Sequence, residues 1–257
     1  MPTVGPDGTV YVAFENEQNQ AKWESGGAFD DQYLLVKSTN GGESWSSPSF
    51  IVDMEDGSND YPINVSGRQT LTGYQVRVNS AGNIVADPTE DDTLYLVFSD
   101  NRNGTHNSAT PVTNTDVFLM VSTNGGATWS GPTQVDAGAG TGDQWFPWVE
   151  VDPAGNIGIV YHDRGASNGA LYNTALAEGP AGGPFVKTVV STAGSNPTDS
   201  IFFRARVAGC EDCATFHGDY NNVSYGSDGV ANVTWTDMSR FNATLGGFEQ
   251  FIFYARQ

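Results

Sequence analysis

Two stretches of the chain carry the same turn signal and decide its fold: LLVKSTNGGESWSSPSFIVD at 34–53 and FLMVSTNGGATWSGPTQVD at 118–136. Each runs from an apolar strand through S-T-N-G-G-x-[ST]-W-S-x-P into a second short strand. Asn-Gly between two apolar runs is a strong local signal for a tight β-hairpin. The sequence therefore predicts two hairpins of the same shape.

The side chains of these blocks have expected roles. The pair Asn40-Gly41 and the corresponding pair Asn124-Gly125 should supply the positive φ that a type I′ turn requires. Ser38 and Ser122 can hydrogen bond to the turn backbone. We also expect two tryptophans to fold back as buried apolar plugs beside the turns; they are Trp45 and Trp129.

A second unit, made of a strand, a turn, a strand and a closing acid, occurs four times. The closing acids are Glu15, Asp100, Asp163 and Asp237. Helical periodicity is nearly absent, and short, regularly punctuated strands predict an all-β propeller of four-stranded antiparallel blades. The predicted blades cover 1–53, 83–136, 146–190 and 218–257, within a single domain at 1–257.

The first and the last of the predicted blades are cut short at the ends of the chain. The last one stops after its third strand (FEQFIFYAR), and the first begins at its innermost strand. We therefore expect about two further blades upstream, which would make the chain the C-terminal part of a six-bladed propeller.

The net charge of the chain limits the classes of partner that it can bind. The 257 residues hold 30 acidic and 11 basic side chains, giving a net charge of −19. Such a surface repels phosphate backbones, so we expect no nucleic-acid partner. No apolar run is long enough for a membrane-spanning helix.

The S-T-N-G-G-x-[ST]-W blocks resemble the Asp-boxes, or BNR repeats, of the sialidase superfamily, with Asn in place of the usual Asp. The C-terminal stretch GDYNN…DGVANVTWTDMSR…FEQFIFYAR resembles the last blade of secreted exo-α-sialidase-like proteins. The resemblance implies an Asp-box propeller, an extracellular or cell-surface location, and a binding face opposite the Asp-box turns.

The resemblance also implies site residues. Tyr220, with the adjacent Asp219, stands where the family has its nucleophilic tyrosine. The family binds the carboxylate of sialic acid through three arginines from different blades. The candidates for substrate binding in this chain are Arg68, Arg164, Arg204, Arg206 and Trp145.

Three strand ends pair an acid with a nearby arginine: Asp100 with Arg102, Asp163 with Arg164, and Asp237 with Arg240. Each pair could clamp a substrate carboxylate. Repetition in three blades instead favours a structural ion pair that ties each strand to its loop.

Two further clusters could bind a metal or form a covalent bond. The acidic loop after 53 lacks the EF-hand pattern but offers a looser calcium site at Asp53, Asp56 and Asp60. Cys210 and Cys213 are expected to form a local disulfide, although C-x2-C-x3-H-x-D is also compatible with zinc. We expect no cofactor to be required, with calcium as the candidate ion.

Two functions remain open. The first is a secreted or cell-surface propeller that binds a glycan or a protein without complete catalytic machinery. The second is a retaining exo-α-sialidase-type glycoside hydrolase with a Tyr nucleophile and an Arg cluster. The acidic charge, the Asn-substituted boxes and the lack of a recognisable glutamate partner for Tyr220 favour the first, and we expect this chain alone not to hydrolyse sialosides.

Overall fold

A computed structural model describes residues 1–16, 31–57, 59–64, 68–74, 76–138, 140–200, 218 and 220–257. Three four-stranded antiparallel sheets and one three-stranded sheet follow one another along the chain, each pairing its strands in sequence order. The first sheet contains β1 (Pro2–Val4), β2 (Val10–Asn16), β3 (Asp31–Ser38) and β4 (Ser49–Met54). The second contains β7 (Asn83–Ala86), β8 (Leu94–Asp100), β9 (Asp116–Ser122) and β10 (Ser130–Gln134).

The other two sheets follow the same scheme. The third contains β11 (Gln144–Val151), β12 (Ile157–Asp163), β13 (Asn173–Gly179) and β14 (Val186–Val189). The fourth contains β15 (Asn222–Tyr225), β16 (Ala231–Asn242) and β17 (Gly247–Arg256), and among the described residues no fourth strand pairs with it. A small ribbon of β5 (Ile63–Asn64) and β6 (Arg68–Gln69) lies between the first two sheets in sequence. The predicted all-β arrangement of antiparallel sheets is confirmed, whereas the ribbon was not predicted.

The sheets pack face to face, as the blades of a propeller do. One apolar cluster lies between the first and second sheets, another between the second and third, and another between the third and fourth. β3 of the first sheet alternates buried and less buried residues, because successive side chains point to opposite faces of a sheet. In contrast, β8 and β12 are buried along their whole length, because the second and third sheets each pack against a neighbour on both faces. Among the residues that the structure describes, none of the sheets closes on itself.

The first strand of each sheet contacts the first strand of the next, and polar side chains tie these inner strands together. Thr3 Oγ1 accepts a hydrogen bond from the Ala86 N–H at 3.0 Å. Asn83 donates to the Val149 carbonyl at 3.0 Å and accepts from the Val149 N–H at 2.7 Å. Asn221 donates to the Phe146 carbonyl at 2.9 Å. These bonds satisfy backbone groups on the inner strands that the sheets leave unpaired.

The repeated turns differ in one respect from the prediction. Positive φ falls on the two glycines of each block, Gly41–Gly42 and Gly125–Gly126, and not on the asparagines. The asparagine side chain closes the turn instead, because Asn40 Oδ1 accepts from the Ser44 N–H at 3.0 Å. The predicted serine contacts are present: Ser38 Oγ accepts from the Gly42 N–H at 2.9 Å.

The prediction that both block tryptophans are buried is wrong for Trp45, which is 45% exposed, while Trp129 is half-buried. Trp129 packs on the core between the first and second sheets. The corresponding side of the first sheet has no neighbouring sheet among the described residues, so Trp45 lacks a surface to pack on. Its indole N–H donates to the Gly42 carbonyl at 3.1 Å.

Within the described residues, no helix has the length and apolar character needed to cross a membrane.

Candidate functional site

Two adjoining cavities open on the inner side of the sheets. The larger, of about 500 Å³, is lined by Met1, Trp148, Tyr220, Asn221, Asn222, Thr234, Trp235 and Ile252. The smaller, of about 220 Å³, lies among the ends of the first two sheets and has Glu15, Tyr33 and Asn83 in its wall. Tyr220 lines both, so the two cavities meet at this side chain.

The larger cavity has aromatic walls and amide groups. Tyr220 is 62% exposed and meets Trp148 edge-on, with 6.2 Å between the ring centroids. Trp235 is almost fully buried and forms another part of the wall, its indole N–H donating to Asp237 Oδ2 at 3.1 Å. Asn221 is buried, and its Oδ1 has no hydrogen-bond partner among the described residues.

Carboxylates gather beside the smaller cavity, where strands of the first two sheets end. The Tyr33 hydroxyl donates to Glu15 Oε1 at 2.9 Å. Burial raises the pKa of the Asp56 carboxyl well above its usual range, and the charges of Glu15, Asp31 and Asp100 raise it further, although Ser80 opposes the rise. The folded protein therefore favours the protonated form of Asp56.

Sequence reasoning found no glutamate partner for Tyr220, yet Glu15 lies in the wall of the cavity that Tyr220 lines. The two residues are at opposite ends of the chain. The only sequence signal was that Glu15 closes a strand in the first repeat.

Two residues predicted to bind substrate are occupied by structural contacts. Arg164 is buried, donates to Asp143 Oδ2 at 2.8 Å, and stacks on Tyr74 with its guanidinium carbon 3.8 Å from the ring centroid. Trp145 has no exposed surface and packs against Tyr74 and Tyr172. Neither side chain is placed to touch a ligand in the cavities, so we leave both out of the site.

The remaining predicted residues divide into two groups. Arg68 lies in the β5–β6 ribbon with an exposed side chain. Several fall outside the described residues: Asp219, Arg204, Arg206, Cys210 and Cys213.

Only one of the three predicted acid–arginine pairs forms. Arg102 donates to Asp100 Oδ2 at 2.7 Å. Asp163 pairs instead with Lys187 at 2.6 Å. Arg240 stacks on Phe251, with its guanidinium carbon 4.7 Å from the ring centroid. In the third sheet, the partner of Asp163 comes from the outer strand β14, and in the fourth sheet, Arg240 contacts an aromatic ring. The shared sequence pattern therefore does not produce a shared ion pair.

The predicted calcium ligands are not brought together. Asp53 is on the surface near Gln32, and Asp56 lies in the buried acid cluster. Asp60 contacts His106, with Asp60 Oδ1 2.5 Å from His106 Nδ1. Partial burial lowers the pKa of His106, but the hydrogen bond to Asp60 and the charges of Asp60 and Glu55 outweigh it and raise the pKa.

Comparisons with known proteins support the fold class. No family model matches the chain, and no curated protein matches it. Among solved structures, the Hadza microbial sialidase Hz136 matches with a TM-score of 0.53 and 12% identity, over 99% of this chain and 43% of that one. The GH93 α-L-arabinofuranosidase of Fusarium graminearum matches with a TM-score of 0.52 and 12% identity, over 99% of this chain and 60% of that one.

The intramolecular trans-sialidase from Ruminococcus gnavus matches with a TM-score of 0.50 and 10% identity, over 100% of this chain and 70% of that one. The chain thus spans about half the length of the first two proteins. At such low identity these matches show the fold alone: an all-β arrangement of antiparallel sheets like that of propeller glycosidases.

Proposed function

We propose that the protein is a secreted or cell-surface glycan-binding propeller and that the aromatic cavity at Tyr220 is its sugar site. The observation that carries this proposal is the combination of aromatic walls with amide and hydroxyl side chains in one cavity. A sugar ring has apolar C–H faces and a rim of hydroxyl groups, so it needs flat apolar surfaces and a few polar groups together. Pockets that fix a small ligand combine an apolar lining with a few such polar groups.

Polar side chains in the same wall can hydrogen bond to sugar hydroxyls; they are Asn221, Asn222 and Thr234. A hydrogen bond of this kind contributes on the order of 0.5–1.5 kcal/mol. The similarity in fold to sialidases and an arabinofuranosidase is consistent with a carbohydrate ligand.

The test is sugar binding by variants of Tyr220. A glycan microarray that includes arabinobiose and sialosides identifies the ligand, and titration calorimetry measures its affinity. Tyr220→Ala should weaken binding by up to about tenfold, since loss of an aromatic contact costs about 0.5–1.5 kcal/mol. The variant should keep the wild-type melting temperature because the side chain is mostly exposed.

Tyr254→Ala is the matched control. Tyr254 is 59% exposed on β17 and is absent from the cavity lining. Its removal should leave the affinity unchanged. Equal affinity of Tyr220→Ala and wild type would refute the assignment of the cavity.

The second candidate is a retaining glycoside hydrolase in which the Tyr220 oxygen bonds to the anomeric carbon as the bond to the aglycone breaks and Glu15 takes the phenol proton. Water then hydrolyses the glycosyl–enzyme bond and releases the sugar. This candidate is favoured by one observation, the presence of both side chains in the wall of the smaller cavity. Fluorogenic sialosides and arabinofuranosides test it. If the protein turns over either substrate and the variants Tyr220→Phe and Glu15→Gln each abolish that turnover, the hydrolase hypothesis is established. Turnover no faster than background would leave glycan binding as the function.

A further inference from the structure

One nitrogen and two carboxylate oxygens that could bind a metal ion lie close together where a loop of the first sheet meets a loop of the second. Glu55 and Asp60 follow β4, and His106 follows β8. One ligand atom from each residue lies within 4.8 Å of the other two. Because the three residues come from two separate segments, the sequence pattern of either loop alone does not reveal the set.

The three side chains form a partly open site. Asp60 is almost fully buried, with 2% of its side chain exposed, whereas Glu55 and His106 are about one-third exposed, at 30% and 36%. Glu55 Oε2 lies 3.8 Å from His106 Nδ1. The buried carboxylate therefore forms the floor, and the other two groups form a rim that solvent can reach.

Hydrogen bonds around the site hold the ligand groups in place. The Gly57 N–H donates to Asp60 Oδ2 at 2.6 Å, which leaves Oδ1 directed at His106. The imidazole also hydrogen bonds to the backbone of Arg102. Such outer contacts fix the orientation of metal-binding histidines and carboxylates.

The two loops are also tied to each other through their backbones. The Asn101 N–H donates to the Glu55 carbonyl at 3.1 Å, and the Asn107 N–H donates to the Asn59 carbonyl at 2.8 Å. The Glu55 N–H donates to Asp100 Oδ2 at 3.1 Å. The loops are thus held together on both sides of the ligand set.

We propose that Glu55, Asp60 and His106 bind a divalent transition-metal ion, with Zn²⁺ the best match. One imidazole nitrogen and two carboxylate oxygens are ligands that Zn²⁺ accepts, and solvent can supply the fourth position from the open side. Calcium is a poor match because it takes six to eight oxygen ligands and the site includes a nitrogen. The ion would lock the first two sheets together at the loop that carries Asp56.

The experiment measures zinc binding in the full chain with Cys210→Ser and Cys213→Ser, so that the cysteines cannot supply a competing site. After chelator treatment, ZnCl₂ should bind with one ion per chain in titration calorimetry and raise the melting temperature, and CaCl₂ should do neither. CoCl₂ should give visible absorption bands that ZnCl₂ then removes.

Single substitutions connect the ion to these residues. His106→Gln and Glu55→Gln should each weaken zinc binding at least tenfold, because even loss of an outer contact to a metal ligand costs about 10–100-fold. Asp53→Asn is the matched control, an exposed acid of the same region outside the set, and should bind zinc as the parent does.

Two results would overturn the proposal. One is that zinc does not bind when ZnCl₂ is present at about 100 times the protein concentration. The other is equal zinc affinity in His106→Gln and in the parent, which would make the contact between His106 and Asp60 a plain ion pair.

Discussion

Asp116 shows what a single buried carboxyl does to this acidic chain. It begins β9 opposite Asp100, and its Oδ2 accepts a hydrogen bond from Asn103 at 2.7 Å. Burial raises the pKa of Asp116 to about 6, and the charges of Asp143 and Asp100 add to the rise. Because the folded pKa lies above the unfolded value of 3.8, the stability that this group contributes is present below pH 3.8 and is lost as pH rises through 6.

Asp116→Asn should therefore stabilise the protein at neutral pH. Asparagine still accepts from Asn103 but carries no charge to bury, so the free energy of unfolding at pH 7.5 should rise by an amount on the order of 1–3 kcal/mol. The gain should shrink as pH falls to 4.5. Urea unfolding at both pH values measures it, with Asp91→Asn in an exposed turn as the control. A gain that does not depend on pH would contradict the argument.

The turn of the second block shows how one element depends on its neighbour. Gly126 has a φ of 78°, and a Cβ there would come 2.1 Å from Leu35 Cδ2 in the first sheet. Gly42 occupies the same place in the first block with a φ of 91°, but a Cβ there would meet only Trp45, at 3.7 Å. The two glycines share a backbone conformation and differ in their surroundings.

Gly126→Ala should destabilise the protein more than Gly42→Ala. Both substitutions place an L-residue in the left-handed region, which costs about 1–2 kcal/mol. Only Gly126→Ala adds overpacking against the core between the sheets, worth about 1–3 kcal/mol more. Chemical unfolding of the two variants measures the difference in their free energies of unfolding. Equal losses of stability would show that the turn at Gly126 does not pack tightly against the first sheet.

At the scale of the whole molecule, local repeats predicted the fold well. The strand–turn–strand–acid units and the NGG blocks locate all four sheets, because strand alternation and turn chemistry are properties of short segments. The exposure of Trp45 was not predictable from its block, since it depends on which sheet lies beside it.

The candidate site was less accessible to sequence reasoning. The resemblance to the sialidase superfamily identified Tyr220 as a candidate. Glu15, which lines the same cavity, comes from the opposite end of the chain. Arg164 fits a ligand clamp in sequence, yet the fold uses it to bridge Asp143 and Tyr74. Contacts between loops of different sheets decide both outcomes, and no local pattern encodes them.

The central claim is that sugar binds in the aromatic cavity at Tyr220, and the indole N–H signals of the six tryptophans test it most directly. In ¹H–¹⁵N spectra, assigned with single Trp→Phe variants, titration with the sugar identified on the array should shift the signals of Trp148 and Trp235, which line the cavity. Those of Trp45 and Trp129, at the turns, should stay in place. Shifts confined to the turn tryptophans, or no shift of Trp148 at saturating sugar, would contradict the account.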